Sequence, residues 1–302
     1  MIRIGSRGSQ LALWQSNHIA DALRAAGHDV SIEVIRTTGD RMQSVAFAQV
    51  GSKGMFIKEI EEALAEDRID LAVHSLKDLP TELHTDFFIA AIPPRVDARD
   101  ALVSVDYARF ADLPPGALVG TSSLRRQAQL RAARPDLRYV EFRGNVDTRL
   151  RKLGDGQVQA IVLASAGLER LGKTEWIRER FDPDIVCPAA GQGALAIECR
   201  SADAATHSFV RSLDDAETRF AVTAERAALN ALGGGCQVPI GVYCTREGGT
   251  FRLRGAVAQP DGSLVLRAEV KGTQADDLGA RLAKDLLAKG AAEILASVSG
   301  TQ

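Results

Sequence analysis

The chain has 302 residues, enough for two or three domains, and its 45% hydrophobic and 25% charged residues are an ordinary globular balance. Aromatics are only 5%, so the core must be aliphatic, and a net charge of −2 gives no global attraction to nucleic acid or anionic membrane. The N-terminal MIRIGSRGSQ has no apolar leader, and no apolar run approaches the roughly 18 residues of a spanning helix, so a soluble, cytosolic protein is expected.

Ile2 to Ile4 reads as a short strand, followed by a helix that Ser9 can cap and Gly27 can stop. Leu11, Trp14, Ile19 and Leu23 lie near one face of that helix. Val30, Ile32 and Val34 alternate with Ser31 and Glu33 as in a strand with one buried side. Gly51 to Gly54 reads as a loop feeding a helix from about Met55 to Glu66, with Phe56, Ile60, Ala63 and Leu64 inward. Leu71 to Val73 is a short apolar strand ending at His74-Ser75-Leu76-Lys77-Asp78, and Phe87 to Ile92 is another.

Pro93-Pro94 and the charged stretch to Asp100 read as a hinge. A second α/β unit follows: a strand at Leu118-Val119, a Gly-Thr-Ser-Ser turn, a helix from Leu124 to Ala133, and strands at Tyr139 to Phe142 and Ala160 to Leu163. Pro188 to Gln192 reads as a second hinge before a strand at Ala194 to Cys199, which suggests a chain that leaves its first domain and returns. The remainder predicts a helix over Ala216 to Leu232, strands at Phe251 to Val257 and Leu264 to Val270 joined at Asp261-Gly262, and a helix over Ala275 to Leu287. The expected division is 1–94 with 195–212, 95–194, and a smaller α+β domain over 213–302.

Between Arg125 and Lys152 eight arginines and one lysine face three acids, a local excess in a near-neutral chain. Arg125, Arg126, Arg143 and Arg149 sit at strand-to-helix turns, where backbone N–H groups and the helix dipole favour an anion. Thr121 and Ser123 add hydroxyls, whereas Arg131, Arg134, Arg138 and Arg151 read as a solvated helix face. Arg7, Ser9 and Lys53 occupy loops before helices and supply a second basic wall. Asp78 follows a strand end, where a carboxylate can steady a developing cation, while His74 reads as a satisfied core histidine. Of the cysteines 187, 199, 236 and 244, none forms a C-x-x-C or has zinc-ligand spacing, so no metal is expected. Cys236 follows three glycines that let a ligand approach closely, which makes it the candidate nucleophile; the others read as small buried hydrophobes.

Seven segments in order resemble the porphobilinogen deaminase (hydroxymethylbilane synthase) family: GSRGSQLALWQ (5–15), VGSKGMF (50–56), VHSLKDLP (73–80), GTSSLRR (120–126), RGNVDTR (143–149), PAAGQGA (188–194) and GGCQVPI (234–240). The resemblance implies two periplasmic-binding-protein-like α/β domains around a cleft and a smaller C-terminal α+β domain. It implies a dipyrromethane cofactor held through Cys236 by a thioether, and Asp78 as the catalytic carboxylate. Arg7, Ser9, Lys53, Lys77, Thr121, Ser123, Arg125, Arg126, Arg143 and Arg149 would bind carboxylates of cofactor and growing chain, with Ser75 and Gln192 lining the cleft. Gln49 departs from the lysine that many members carry. The implied chemistry is stepwise head-to-tail condensation of four porphobilinogen molecules with loss of ammonia, then release of hydroxymethylbilane by a monomer. The alternative is a non-enzymatic binding protein for a small organic anion, which needs no covalent adduct and no Cys236. A DNA-binding regulator is disfavoured by the charge balance and by the placing of the arginines at turns.

Overall fold

The computed structural model describes residues 1–37, 57–234 and 238–299. In chain order its strands are β1 (Ile2–Arg7), β2 (Val30–Ile35), β3 (Leu71–Ser75), β4 (Phe87–Ala91), β5 (Asp100–Val103), β6 (Leu118–Gly120), β7 (Arg138–Val140), β8 (Ala160–Ala164), β9 (Ile177–Arg180), β10 (Leu195–Arg200), β11 (Ile240–Glu247), β12 (Thr250–Ala258) and β13 (Val265–Gly272). The helices are α1 (Gln10–Ala25), α2 (Lys58–Ala65), α3 (Leu124–Ala133), α4 (Val146–Gly154), α5 (Ser165–Arg170), α6 (Ala204–Val210), α7 (Ala216–Ala231), α8 (Ala275–Ala288) and α9 (Ala291–Ser299). The chain forms two compact units, Met1–Arg95 with Ala194–Arg219 and Val96–Gly193 with Phe220–Gln302.

The first unit is a five-stranded sheet in the order β2-β1-β3-β10-β4. β1 pairs in parallel with β2 and β3, and β10 runs antiparallel between β3 and β4. Ile19, Ala20 and Leu23 of α1 pack with Ile4, Leu71, Val73 and Ile197 on one face, and Ile60, Ala63 and Leu64 of α2 pack with Ala72 on the other. Ser9 caps α1 by accepting the Ala12 N–H at 3.3 Å, and Gly27 just past its end has φ +90°, as the stop signal predicted. Two expected core positions are exposed instead. Trp14 stacks on His18 at the surface, with ring centroids 5.1 Å apart, because Gln15 and Ser16 take the inward positions. Val34 also points outward, since β2 is an edge strand whose buried ends are Val30 and Ile35. The loop at 51–54, Met55 and Phe56 lie outside the described residues.

The second unit contains a five-stranded sheet, β7-β6-β8-β5-β9, and a three-stranded antiparallel sheet, β11-β12-β13, covered by α8 and α9. The protein therefore comprises two α/β domains and a small C-terminal α+β domain. In the larger sheet β6, β7 and β8 are mutually parallel, so all three end at one edge. Two of the four arginines expected to be solvated do structural work instead: Arg131 of α3 donates to Pro260 O at 3.1 Å, and Arg134, just past its end, binds Asp136 and the Phe110 and Leu113 carbonyls. Free carbonyls at turns are strong acceptors, which draws these long side chains out of solvent.

The β12–β13 turn packs directly on α3. Gly262 has φ +78°, and a Cβ there would lie 2.6 Å from Arg131 Cβ and 2.7 Å from the Ala132 nitrogen. Gly262→Ala is thus expected to destabilise this unit by about 1–3 kcal/mol, read as a lowered thermal midpoint. An unchanged midpoint would contradict the packing.

Candidate active site

In the first unit the carboxyl ends of β1 and β3 open on the same edge of the sheet. β1 ends at Arg7, and Gly8-Ser9 lead into α1. β3 ends at Ser75, and Leu76–Asp78 form a single 3₁₀ turn closed by Leu79 N–H donating to Leu76 O at 3.1 Å. The turn carries Asp78 into solvent, leaves Lys77 half-buried and anchors Leu76 in the core. Arg7, Ser9, Ser75, Lys77 and Asp78 therefore share one edge. Gln15, which sequence reading passed over, is buried and donates to Ser75 Oγ at 2.8 Å, locking α1 to the end of β3. The oxygen of Ser9 already caps its helix.

His74 points to the opposite face from Ser75. Its Nε2 lies 2.9 Å from Glu198 Oε2, and both side chains are buried, in keeping with a satisfied core histidine. Glu61 of α2 is pushed above the usual carboxylate range, first by burial and then by the charge of Glu198.

In the second unit, two strand-to-helix turns lie side by side at the ends of β6 and β7. Ser123 caps α3 by accepting the Arg126 N–H at 3.4 Å, and Asn145 caps α4 by accepting the Thr148 N–H at 2.8 Å. Gly144 has φ +124°, and a Cβ there would meet Thr148 at 2.8 Å, so the entry to α4 requires glycine. Ser122 Oγ donates to Phe142 O at 2.9 Å and the Thr121 N–H to Val140 O at 3.0 Å, pinning one turn to the other. Thr121 is buried and its hydroxyl oxygen accepts the Ser123 N–H at 3.3 Å, so it shapes the turn from within.

The four turn arginines differ sharply in surroundings. Arg125 and Arg126 are buried and converge on Asp100, the fully buried first residue of β5, with closest approaches of 2.7 Å each. Burial alone would raise the Asp100 carboxyl. The charges of the two arginines and their hydrogen bonds outweigh it and hold the group well below the usual carboxylate range. Gln192 joins them, donating to Asp100 Oδ1 at 2.8 Å and Ala98 O at 2.7 Å. Arg143 is more open and pairs with Glu141 at 2.5 Å. Arg149 has a buried Nε with no hydrogen-bond partner and no ion pair among the described residues. Burial, reinforced by the charges of Arg126 and Arg143, pushes its guanidinium down to about 10.

Two of these guanidinium groups thus meet Asp100, one meets Glu141, and the buried Nε of the fourth, Arg149, has no hydrogen-bond partner among the described residues. A buried guanidinium N–H without a partner is costly, and an incoming carboxylate removes the cost with charged hydrogen bonds of about 1.5–3 kcal/mol each. The cluster fits a carboxylate-bearing cofactor or substrate. Cys236, Lys53 and Gln49 lie outside the described residues. Cys187, Cys199 and Cys244 are buried free thiols, and burial pushes Cys187 and Cys199 up to about 12, which makes them poor nucleophiles.

Sequence reading missed Asp100, Gln15, Ser122 and Gln129. Gln129 is buried and grips the Cys187 backbone, accepting its N–H at 2.9 Å and donating to its carbonyl at 3.3 Å. Asp100 had a usable signal: an acid heading the apolar run Ala101-Leu102-Val103 needs a counter-charge once that strand is buried.

Residues 2–208 match the family model described as "Porphobilinogen deaminase, dipyromethane cofactor binding domain", and residues 219–288 match "Porphobilinogen deaminase, C-terminal domain". A porphobilinogen deaminase of Bordetella parapertussis is 50% identical over 99% of this chain and 97% of its own length. One of Pelobacter propionicus is 50% identical over 98% of this chain, and one of Brevibacillus brevis 48% over the same share, each over 97% of the relative. Among solved structures, the methionine-binding protein MetQ covers 72% of this chain and 91% of its own at 14% identity and a TM-score of 0.46, too low to bear on function. With both family models in chain order and half of all residues identical across nearly the full length, the chain belongs to the porphobilinogen deaminase family.

Proposed function

We propose that the protein condenses four porphobilinogen molecules head to tail, with loss of ammonia, on a dipyrromethane primer joined to Cys236 through a thioether, and that hydrolysis then releases hydroxymethylbilane. The observation that carries this reading is the match of residues 2–208 to the cofactor-binding family model, on a chain in which the buried Nε of Arg149 has no hydrogen-bond partner among the described residues. When bound, the primer supplies a free pyrrole α-carbon as the acceptor for the first incoming unit.

The chain's own residues have distinct roles in this reading. Arg126, Arg143 and Arg149 bind carboxylates at the ends of β6 and β7, where the positive ends of the α3 and α4 dipoles add to the field. Arg7 and Lys77 do the same at the ends of β1 and β3, with Lys53 assigned by the family pattern. Ser9, Thr121 and Ser123 hold the helix entries, and Ser75 and Gln192 set the local geometry. Asp78, exposed on a rigid one-turn support, stabilises the positive charge that develops as substrate loses ammonia, and it moves the pyrrole proton. Fixed carboxylates bring the reacting carbons together and lower the entropic part of the barrier. The proposed domain boundaries are 1–94 with 195–212, 95–194 and 213–302, and the proposed working form is a cytosolic monomer. No helix among the described residues is long and apolar enough to cross a membrane.

The test is the intact mass of purified protein. The expected mass exceeds that of the sequence by a two-ring pyrrole unit. A mass equal to the sequence in protein that turns over porphobilinogen would overturn the covalent primer, and an unmodified, inactive protein that binds organic anions would favour a binding protein instead.

A further inference from the structure

Arg143 already carries a carboxylate, and it is the chain's own. Its Nε donates to Glu141 Oε1 at 2.6 Å, and its Nη2 lies 2.5 Å from the same oxygen. Nε and Nη2 together make an edge with which a guanidinium takes a carboxylate two-pronged. Glu141 therefore sits where a ligand carboxylate approaching that edge would sit.

The local sequence explains why the pair forms. Phe142 is buried, while Glu141 before it and Arg143 after it are more open, as alternation along extended backbone requires. The backbone is held independently of the pair: Phe142 O accepts from Ser122 Oγ at 2.9 Å, and Arg143 O accepts from Lys152 Nζ at 3.2 Å. Releasing Glu141 thus needs only a side-chain rotation. Its side chain is 60% exposed, so water solvates the released carboxylate. The other acid at this turn is engaged elsewhere, because Asp147 in the first turn of α4 pairs with Lys173 at 3.0 Å. An exposed ion pair shifts an equilibrium by no more than about fivefold, which a bound ligand can overcome. The charge of Arg143 also acts on Arg149, so an anion arriving at this turn is drawn by both cations.

We infer that Glu141 is a displaceable stand-in for the ligand carboxylate. It occupies Arg143 before ligand binds, swings into water as a ligand carboxylate takes its place, and returns as the ligand leaves. The contact weakens binding and speeds release. It also favours ligands with several carboxylates, since a single one only exchanges one ion pair for another. The inference deepens the function proposed above and rests on it.

The experiment measures the porphobilinogen concentration that gives half-maximal rate, both for primer loading of apoprotein, read by intact mass, and for turnover of loaded protein. If wild type neither loads nor turns over, the proposed function fails and this inference falls with it. Given wild-type activity, Glu141→Gln should lower that concentration about two- to fivefold in at least one of the two reactions, with the maximal rate unchanged or reduced. No change in either reaction overturns the inference. A rise in either also overturns it, since Glu141 would then be holding Arg143 in its binding orientation. In an Arg143→Ala background Glu141 has no guanidinium to occupy, and Glu141→Gln should leave the loading rate unchanged. The same gain in that background would mean that the carboxylate acts through its field alone, and displacement would be overturned.

Discussion

Cys236→Ser is expected to leave a folded protein that carries no pyrrole adduct and assembles no tetrapyrrole. The argument is one of chemistry and of exclusion. A thiolate is a far better nucleophile than a serine hydroxyl near neutral pH, and Cys236 follows three glycines, where the backbone presents no side chain to block an approaching ligand. None of the other thiols can take its place. Cys187, Cys199 and Cys244 are buried, and burial holds the first two near 12. The readouts are intact mass and absorbance of the oxidised product. A serine variant that still turns over porphobilinogen would remove the covalent primer from the mechanism.

Asp78→Ala is expected to cut turnover by about 10²–10⁴-fold, the range for removing a general acid–base group or a preorganised charge. The side chain is exposed at the end of a single 3₁₀ turn, while Leu76 and Leu79 on either side of it are buried and hold the backbone. Stability should therefore change by no more than about 0.5 kcal/mol, as for other surface substitutions. The adduct should still form more readily than the chain elongates, because the carboxylate-binding arginines are untouched. Near-normal turnover in the alanine variant would reassign the catalytic role.

Much of the architecture was legible because each element carries a local signal. Helix α3 runs from Leu124 to Ala133 as expected, since Ser123 caps its start and Pro135 forbids its extension. The Asp261-Gly262 turn was readable from chemistry alone: Gly262 adopts φ +78° and Asp261 accepts the Ser263 N–H at 2.9 Å. What stayed hidden depends on contacts distant in sequence. Asp100 and Arg125 are 25 positions apart, and only the pairing of β5 beside β8 carries the acid into the arginines. In sequence, Val-Asp-Ala-Arg-Asp (96–100) reads as a solvated linker. Arg131 and Arg134 misled for the same reason, as their carbonyl partners lie on other elements. Trp14 was misplaced because periodicity cannot tell an aromatic stacked on a neighbouring histidine from one packed inside.

The placing of β10 between β3 and β4 has a consequence for biosynthesis. β3 and β4 flank a gap that only residues 195–200 fill, so a nascent chain that has emerged as far as Pro94 exposes two unpaired strand edges. The intervening hundred or so residues must leave the ribosome before that gap closes, a delay of several seconds at usual rates of synthesis. A fragment ending near residue 94 is therefore expected not to fold autonomously, because the strand that joins β3 to β4 is missing from it.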